Sequence, residues 1–150
     1  MKFVATEDIA APIETVWARV SDLEGFEDRI GKRVGQIARI PPGPPGQGTS
    51  WTGKAEIMGK ARVVKVTVAT LAAPTQLVAE AGTDGMTVTI QVDLKELSPR
   101  LTRLTVTSEA RARSLAARLM LQSAKLARQT MAKRYKARVA DFASQVEKGA

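Results

Sequence analysis

The sequence predicts an α+β fold of one strand, two short helices, six further antiparallel strands and one long closing helix. Three observations carry this. From Arg113 to Lys148 run 36 residues without Gly or Pro, rich in Ala, Leu, Arg, Lys and Gln, all good helix formers. Upstream, short segments alternate apolar and polar residues between turn signals, the period-two pattern of half-buried antiparallel strands. Near the start, one alternating segment precedes a stretch whose apolar residues recur at helical spacing behind a proline.

In chain order, Lys2 to Ile9 alternates Phe3 and Ala5 against Val4 and Thr6 and reads as the first strand. Pro12 suits the first helical position, where its missing N–H costs nothing, and Ile13, Val16, Trp17 and Val20 then form one apolar face. Asp22 to Lys32 reads as a second short helix carrying Leu23, Phe26 and Ile30, weakened by Gly25 and Gly31. Val34 to Ile40 is strand-like. Residues 41–48, PPGPPGQG, can enter neither ladder nor helix and read as a semi-rigid loop within one domain.

Thr49 to Met58 puts Trp51, Gly53, Ala55 and Ile57 on one face, and Gly59-Lys60 is a hairpin-turn candidate. Arg62 to Thr70 alternates with Val64, Val66 and Val68 inward and Arg62 in the same phase. Gln76 to Ala81 is the next strand, followed by the turn GTDG at 82–85. Met86, Val88, Ile90, Val92 and Leu94 alternate cleanly, Ser98-Pro99 turns the chain, and Leu101 to Ala110 closes the sheet. In the final helix Ala117, Met120, Leu121, Ala124, Ala127, Met131, Tyr135, Val139, Phe142 and Val146 share a broad stripe. Leu115, Leu119 and Leu126 lie nearly opposite, free to pack on the helix pair or on a second copy in a homodimer. At about 1.5 Å per residue such a helix would span roughly 54 Å, against about 33 Å for a ten-residue strand. Either it overhangs the sheet or its first turns form a separate piece.

Residues 1–150 suit a single domain able to bury a real core. Cys and His are both absent, which removes disulfides, thiolate nucleophiles, the commonest general base and the commonest metal ligands. No metal site, cofactor or catalytic motif is expected, although an unpaired Asp or Glu could still do acid–base work. No apolar run approaches the ~18–20 residues of a membrane span, and a soluble cytoplasmic protein is the expectation. Of the formal net charge of +8, residues 113–150 supply +7, with nine Lys/Arg against Asp141 and Glu147. The basicity belongs to the closing helix.

The element order resembles the helix-grip fold of the START and pollen-allergen-like (SRPBCC) superfamily, β-α-α-β6-α, a curved seven-stranded antiparallel sheet wrapped around a long C-terminal helix. The residues carrying the match are APIETVWARVSDLEGF (11–26), similar to that superfamily's opening, and RLTRLTVTSEA (100–110) running into the last helix. Within the superfamily the chain is most similar to bacterial polyketide cyclase/dehydrase and lipid-transport-like proteins. It bears a weaker likeness to one of the subunit families of carbon-monoxide dehydrogenase, through the same opening and the Leu/Arg/Lys-rich end. Val16, Trp17 and Asp22 form a packing motif that says nothing about chemistry. Residues 41–48 stand where plant members carry a Gly-rich loop, but Pro donates no N–H to an anion, so a phosphate cradle is not expected there.

The resemblance implies a cavity between sheet and helix that binds a small hydrophobic or amphipathic molecule: a lipid, a quinone or a polyketide-like compound. Its expected lining is Trp51, Val64, Val66, Val88, Ile90, Met120, Ala124 and Met131, with Arg62 as polar anchor if it points inward. Each has a plainer reading. Trp17 and Trp51 serve equally as core. Met58, Met86, Met120 and Met131 fill cores as readily as they line cavities. Ala124 and Ala127 leave room or let the helix sit close. Arg62 would pair with Glu80 or Glu109, or slip to the rim.

Two rivals accompany the binding reading. A cyclase or dehydratase would need Glu80, Glu109 or Arg62 with a bound water within reach of substrate. An interaction module would dock its basic helix on an anionic membrane, a ribosome, or an acidic or redox-enzyme partner. Nucleic acid is set aside, because the helix has neither exposed aromatics for stacking nor a recognised binding motif.

Overall fold

A computed structural model describes residues 1–57 and 59–149, so Met58, a lining candidate and the end of one expected strand, lies outside the described residues. Among the described residues the strands are β1 (Lys2–Ile9), β2 (Gly35–Ile40), β3 (Ser50–Ile57), β4 (Lys60–Ala72), β5 (Gln76–Thr83), β6 (Met86–Ser98) and β7 (Leu101–Ala112). The helices are α1 (Ile13–Val20), α2 (Leu23–Gly31), α3 (Leu115–Lys125) and α4 (Arg128–Gly149). All strand pairs are antiparallel, in the order β1-β7-β6-β5-β4-β3-β2, so a meander from β2 to β7 is closed on its far side by the first strand. Register shifts in β2, β4 and β6 bend the strands and help curve the sheet.

Local chemistry sets the boundaries. Pro12 sits at the N-cap of α1, one place earlier than expected. Asp22 caps α2 by accepting from the Gly25 N–H at 3.1 Å. The first hairpin turns one residue earlier than Gly59-Lys60, because Lys60 already pairs with Ile57. In the β5–β6 hairpin Asp84 and Gly85 both take positive φ, 39° and 77°, the two-residue turn that matches strand twist. Gly85 also accepts the Arg113 N–H at 2.7 Å and lies so close to Ser114 that a Cβ would meet its Oγ at 2.5 Å. Ser114 in turn caps α3 through the Ala117 N–H.

The long C-terminal helix is present as α4, and its first turns form the separate piece α3. At the junction, Leu126 and Ala127 make i→i−3 bonds to Ser123 and Ala124, which separates α3 from α4. No Gly or Pro causes the break; the two helices are held by different partners. α3 rests on β7 through buried Ala117, while α4 packs mainly on β1 through Val139, Ala143 and Val146.

The core has two parts. Ile9, Val16, Leu94, Leu104, Val139 and Val146 anchor one; Leu23, Trp51, Val68 and Leu77 form the other. Trp17, Val20 and Val92 pack against both and join them.

Candidate functional site

Directly paired residues in an antiparallel sheet share a face, so the registers sort the strands into two sides. Leu77-Val92-Val106-Ala5 and Ala79-Ile90-Ser108-Phe3 belong to the helix-facing side, and Glu80-Thr89-Glu109-Lys2 to the other. Over the helix-facing side, α1 covers β6 and β7 and α4 covers β1. The space they leave between them is an apolar pocket of about 250 Å³. Val92, Leu104 and Val106 form its floor, Val20 one wall, and Tyr135, Val139 and Phe142 the α4 wall.

One polar group stands on that wall. The Tyr135 hydroxyl shares a hydrogen bond of 2.9 Å with Ser108 Oγ, and its ring packs on Phe3 with centroids 5.6 Å apart. Burial raises its pKa above the ordinary 10.0 and the Ser108 hydrogen bond opposes this, so it is a neutral donor and acceptor near pH 7.

The mouth is cationic. Arg19 from α1, Arg29 from α2 and Arg138 from α4 line the pocket, and the same three border an adjoining basin of about 650 Å³. Lys32 and Arg33 also line the basin, against Asp22 and Asp141. Arg19 donates a long hydrogen bond (3.5 Å) to the Gln145 carbonyl. Among the described residues the arginine–carboxylate pairs are Arg39–Glu27, Arg62–Asp84, Arg103–Asp8 and Arg111–Glu109, so none of the three mouth arginines has a carboxylate partner. No group of three acidic side chains gathers to hold a metal among these residues.

The residues singled out from sequence occupy other places. Trp51 is 1% exposed, edge-on to Phe26 at 5.6 Å, and its indole N–H donates to Glu27 Oε1 at 2.9 Å. Arg62 shares the phase of Val64 and Val66 but reaches along the sheet end. There its Nη1 donates to Asp84 at 2.6 Å and its Nε to the Ile57 carbonyl, so its partner is neither Glu80 nor Glu109. Glu109 pairs with Arg111 at 2.7 Å, and Glu80 is exposed; both lie on the face away from the helices. Val64, Val66, Val88 and Ile90 are half-buried on the helix-facing side, on rungs beyond Val92. Met120 and Ala124 are half-buried on α3, while Met131 is exposed on α4. None of the nine lines the pocket.

Tyr135, Val139 and Phe142 were visible in the sequence as the bulky end of the helix stripe. The three arginines carried no signal, because each looks like an ordinary solvated charge until three separate helices converge.

The family described as polyketide cyclase/dehydrase and lipid transport matches residues 1–147, so the chain belongs to that family. No curated protein matches it significantly. Among solved structures, a Thermus thermophilus protein is 17% identical with a TM-score of 0.64, covering 100% of this chain and 99% of its own. An aromatase/cyclase from Streptomyces sp. R1128 is 17% identical with a TM-score of 0.63, covering 98% and 93%. A START superfamily protein from Mycobacterium smegmatis is 22% identical with a TM-score of 0.55, covering 93% and 97%. At these identities the likeness shows the fold alone: an α+β helix-grip architecture, a seven-stranded antiparallel sheet with a long C-terminal helix.

Proposed function

We propose that this member of the polyketide cyclase/dehydrase and lipid-transport family binds a small amphipathic molecule in the pocket between β6, β7, α1 and α4, without transforming it. The observation that supports this is the apolar floor of Val92, Leu104 and Val106 facing Tyr135, Val139 and Phe142 across an unfilled volume. At about 250 Å³ the pocket lies just under the ~300–1,000 Å³ common for small-molecule sites, which suits a short chain or a single ring system. Burial of apolar surface would supply most of the affinity, and the Tyr135 hydroxyl one directional contact. A longer tail would continue over Ile90 and Val88 toward Val66 and Val64, which extend the same face. A cyclase would need an acid or base in the pocket; Glu80 and Glu109 face away from it, and Tyr135 is engaged with Ser108, so binding is favoured over turnover.

The test is titration with the neutral fluorophore N-phenyl-1-naphthylamine. Saturable 1:1 binding is expected, weakened at least tenfold by Val106→Phe, which fills the floor. Absence of saturable binding, or equal affinity in Val106→Phe, removes the reading.

A second reading concerns a different surface. Leu115, Leu119 and Leu126 share one side of α3 and are 72%, 55% and 92% exposed. Arg118 and Lys125 are exposed on the same helix, and Arg128 is exposed at the start of α4. No helix among the described residues is long and apolar enough to cross a membrane. A short basic helix presenting bare leucines instead suits shallow insertion at an anionic lipid surface. Flotation with phosphatidylglycerol-containing vesicles, reduced at least fivefold both by pure phosphatidylcholine and by Leu115→Ser/Leu126→Ser, is the expected result. Equal flotation in all cases, or none with anionic vesicles, removes it.

A further inference from the structure

We infer that the ligand carries an anionic head group, a carboxylate or phosphate, held at the pocket mouth by Arg19, Arg29 and Arg138. The inference rests on the pocket being the ligand site and names the chemistry of what enters it. Three helices that are separate in sequence each bring one arginine to the lining of the same opening, Arg19 with one guanidinium nitrogen turned to the Gln145 carbonyl. Among the described residues four arginines elsewhere pair with carboxylates at 2.6–2.9 Å, and several exposed ones pair with none; what sets the mouth apart is that three arginines gather at one apolar opening. None of the three has a carboxylate partner among the described residues. Around the basin Asp22 and Asp141 stand against Arg19, Arg29, Lys32, Arg33 and Arg138, two negative charges against five positive ones. Like charges in excess over their counter-charges raise one another's energy, and an anion placed among them relieves it.

The shape of the site suits an anion bearing an apolar body. All three arginines are exposed residues, so no buried charge has to be tolerated when the site is empty. A guanidinium offers a planar fork of donors to carboxylate or phosphate oxygens, and contributions from three directions fix the head over the mouth. The apolar body then extends inward between Val106 and Phe142 toward the Tyr135 hydroxyl.

Isothermal titration with four eight-carbon probes decides the matter: octanoate, octyl phosphate, octanol and octyltrimethylammonium. At least one anionic probe should bind ten or more times tighter than octanol, and the cation most weakly. The anionic advantage should shrink at least threefold between 50 and 500 mM salt. It should fall about fivefold in each of Arg29→Gln and Arg138→Gln, both exposed side chains whose loss leaves the core intact. Tighter octyl phosphate assigns the head to a phosphate, and tighter octanoate to a carboxylate. If octanol binds as well as both anions, the inference is overturned while the pocket stands. If no probe binds saturably, both fall.

Discussion

At the scale of single residues, Glu27 joins three elements. Its carboxylate accepts Nε and Nη2 of Arg39, at 2.9 and 2.6 Å, and the Trp51 indole N–H at 2.9 Å, tying α2 to β2 and β3. The Arg39 hydrogen bonds first, and the Trp51 bond second, hold its pKa below the ordinary 4.5. A carboxyl depressed in the folded state contributes stability that is present above its unfolded pKa and lost as pH falls through the folded value. Glu27→Gln should therefore melt below wild type at pH 7, with the gap closing once pH drops below about 4.5. Asp8 and Glu109 are lowered in the same direction by Arg103 and Arg111, so the difference between the two proteins isolates Glu27. A gap that stays constant to pH 3, followed by thermal melts, would contradict this. None of this node was legible in the sequence. Trp51 was recognisable as inward-facing, but its partner lies 24 residues away in a helix whose only visible signal was Leu23, Phe26 and Ile30.

Among the elements, period and punctuation carried most of the fold. Strand phase, the GTDG turn and the Pro-Gly loop all follow from backbone rules that act over a few residues. The α3–α4 break does not, because residues 113–148 all favour helix and only tertiary contacts decide where it bends. Those contacts make two predictions. Gly85→Ala forces positive φ on a side chain and drives a Cβ into Ser114, the cap of α3; urea unfolding should show a loss of about 1–3 kcal/mol. Gly46→Ala, where an added Cβ meets nothing within 4 Å, should change little. Likewise Val146→Ala at the sheet end of α4 removes two buried methyl groups at ~0.8 kcal/mol each plus a cavity term, about 2 kcal/mol together. Leu126→Ser at the bare junction should alter stability by less than about 0.5 kcal/mol. Equal losses at both positions would mean that the junction leucine is packed in solution.

On the scale of the whole molecule, the phase of a strand reveals which face is covered but not which rung is roofed. Val64, Val66, Val88 and Ile90 share the face of Val92 and Val106, yet the pocket lies over the latter pair, between α1 and α4. Its place depends on where α4 lands: on β1, with Glu147 accepting the Ala10 N–H and Arg19 reaching the Gln145 carbonyl. A pocket so placed touches α1, α2, α4, β6 and β7 together. A ligand in it binds only the assembled arrangement, so its binding energy becomes folding stability. At a hundredfold excess over Kd the gain is about 2.7 kcal/mol. With roughly 2–4 °C per kcal/mol for a chain of this length, the melting midpoint should rise by about 5–10 °C. The rise should vanish in Val106→Phe, which occupies the floor, and persist in Leu126→Ser, which lies on α3's outer side. Differential scanning calorimetry with the tightest eight-carbon probe reads both. An undiminished shift in Val106→Phe would place the binding site elsewhere on the molecule.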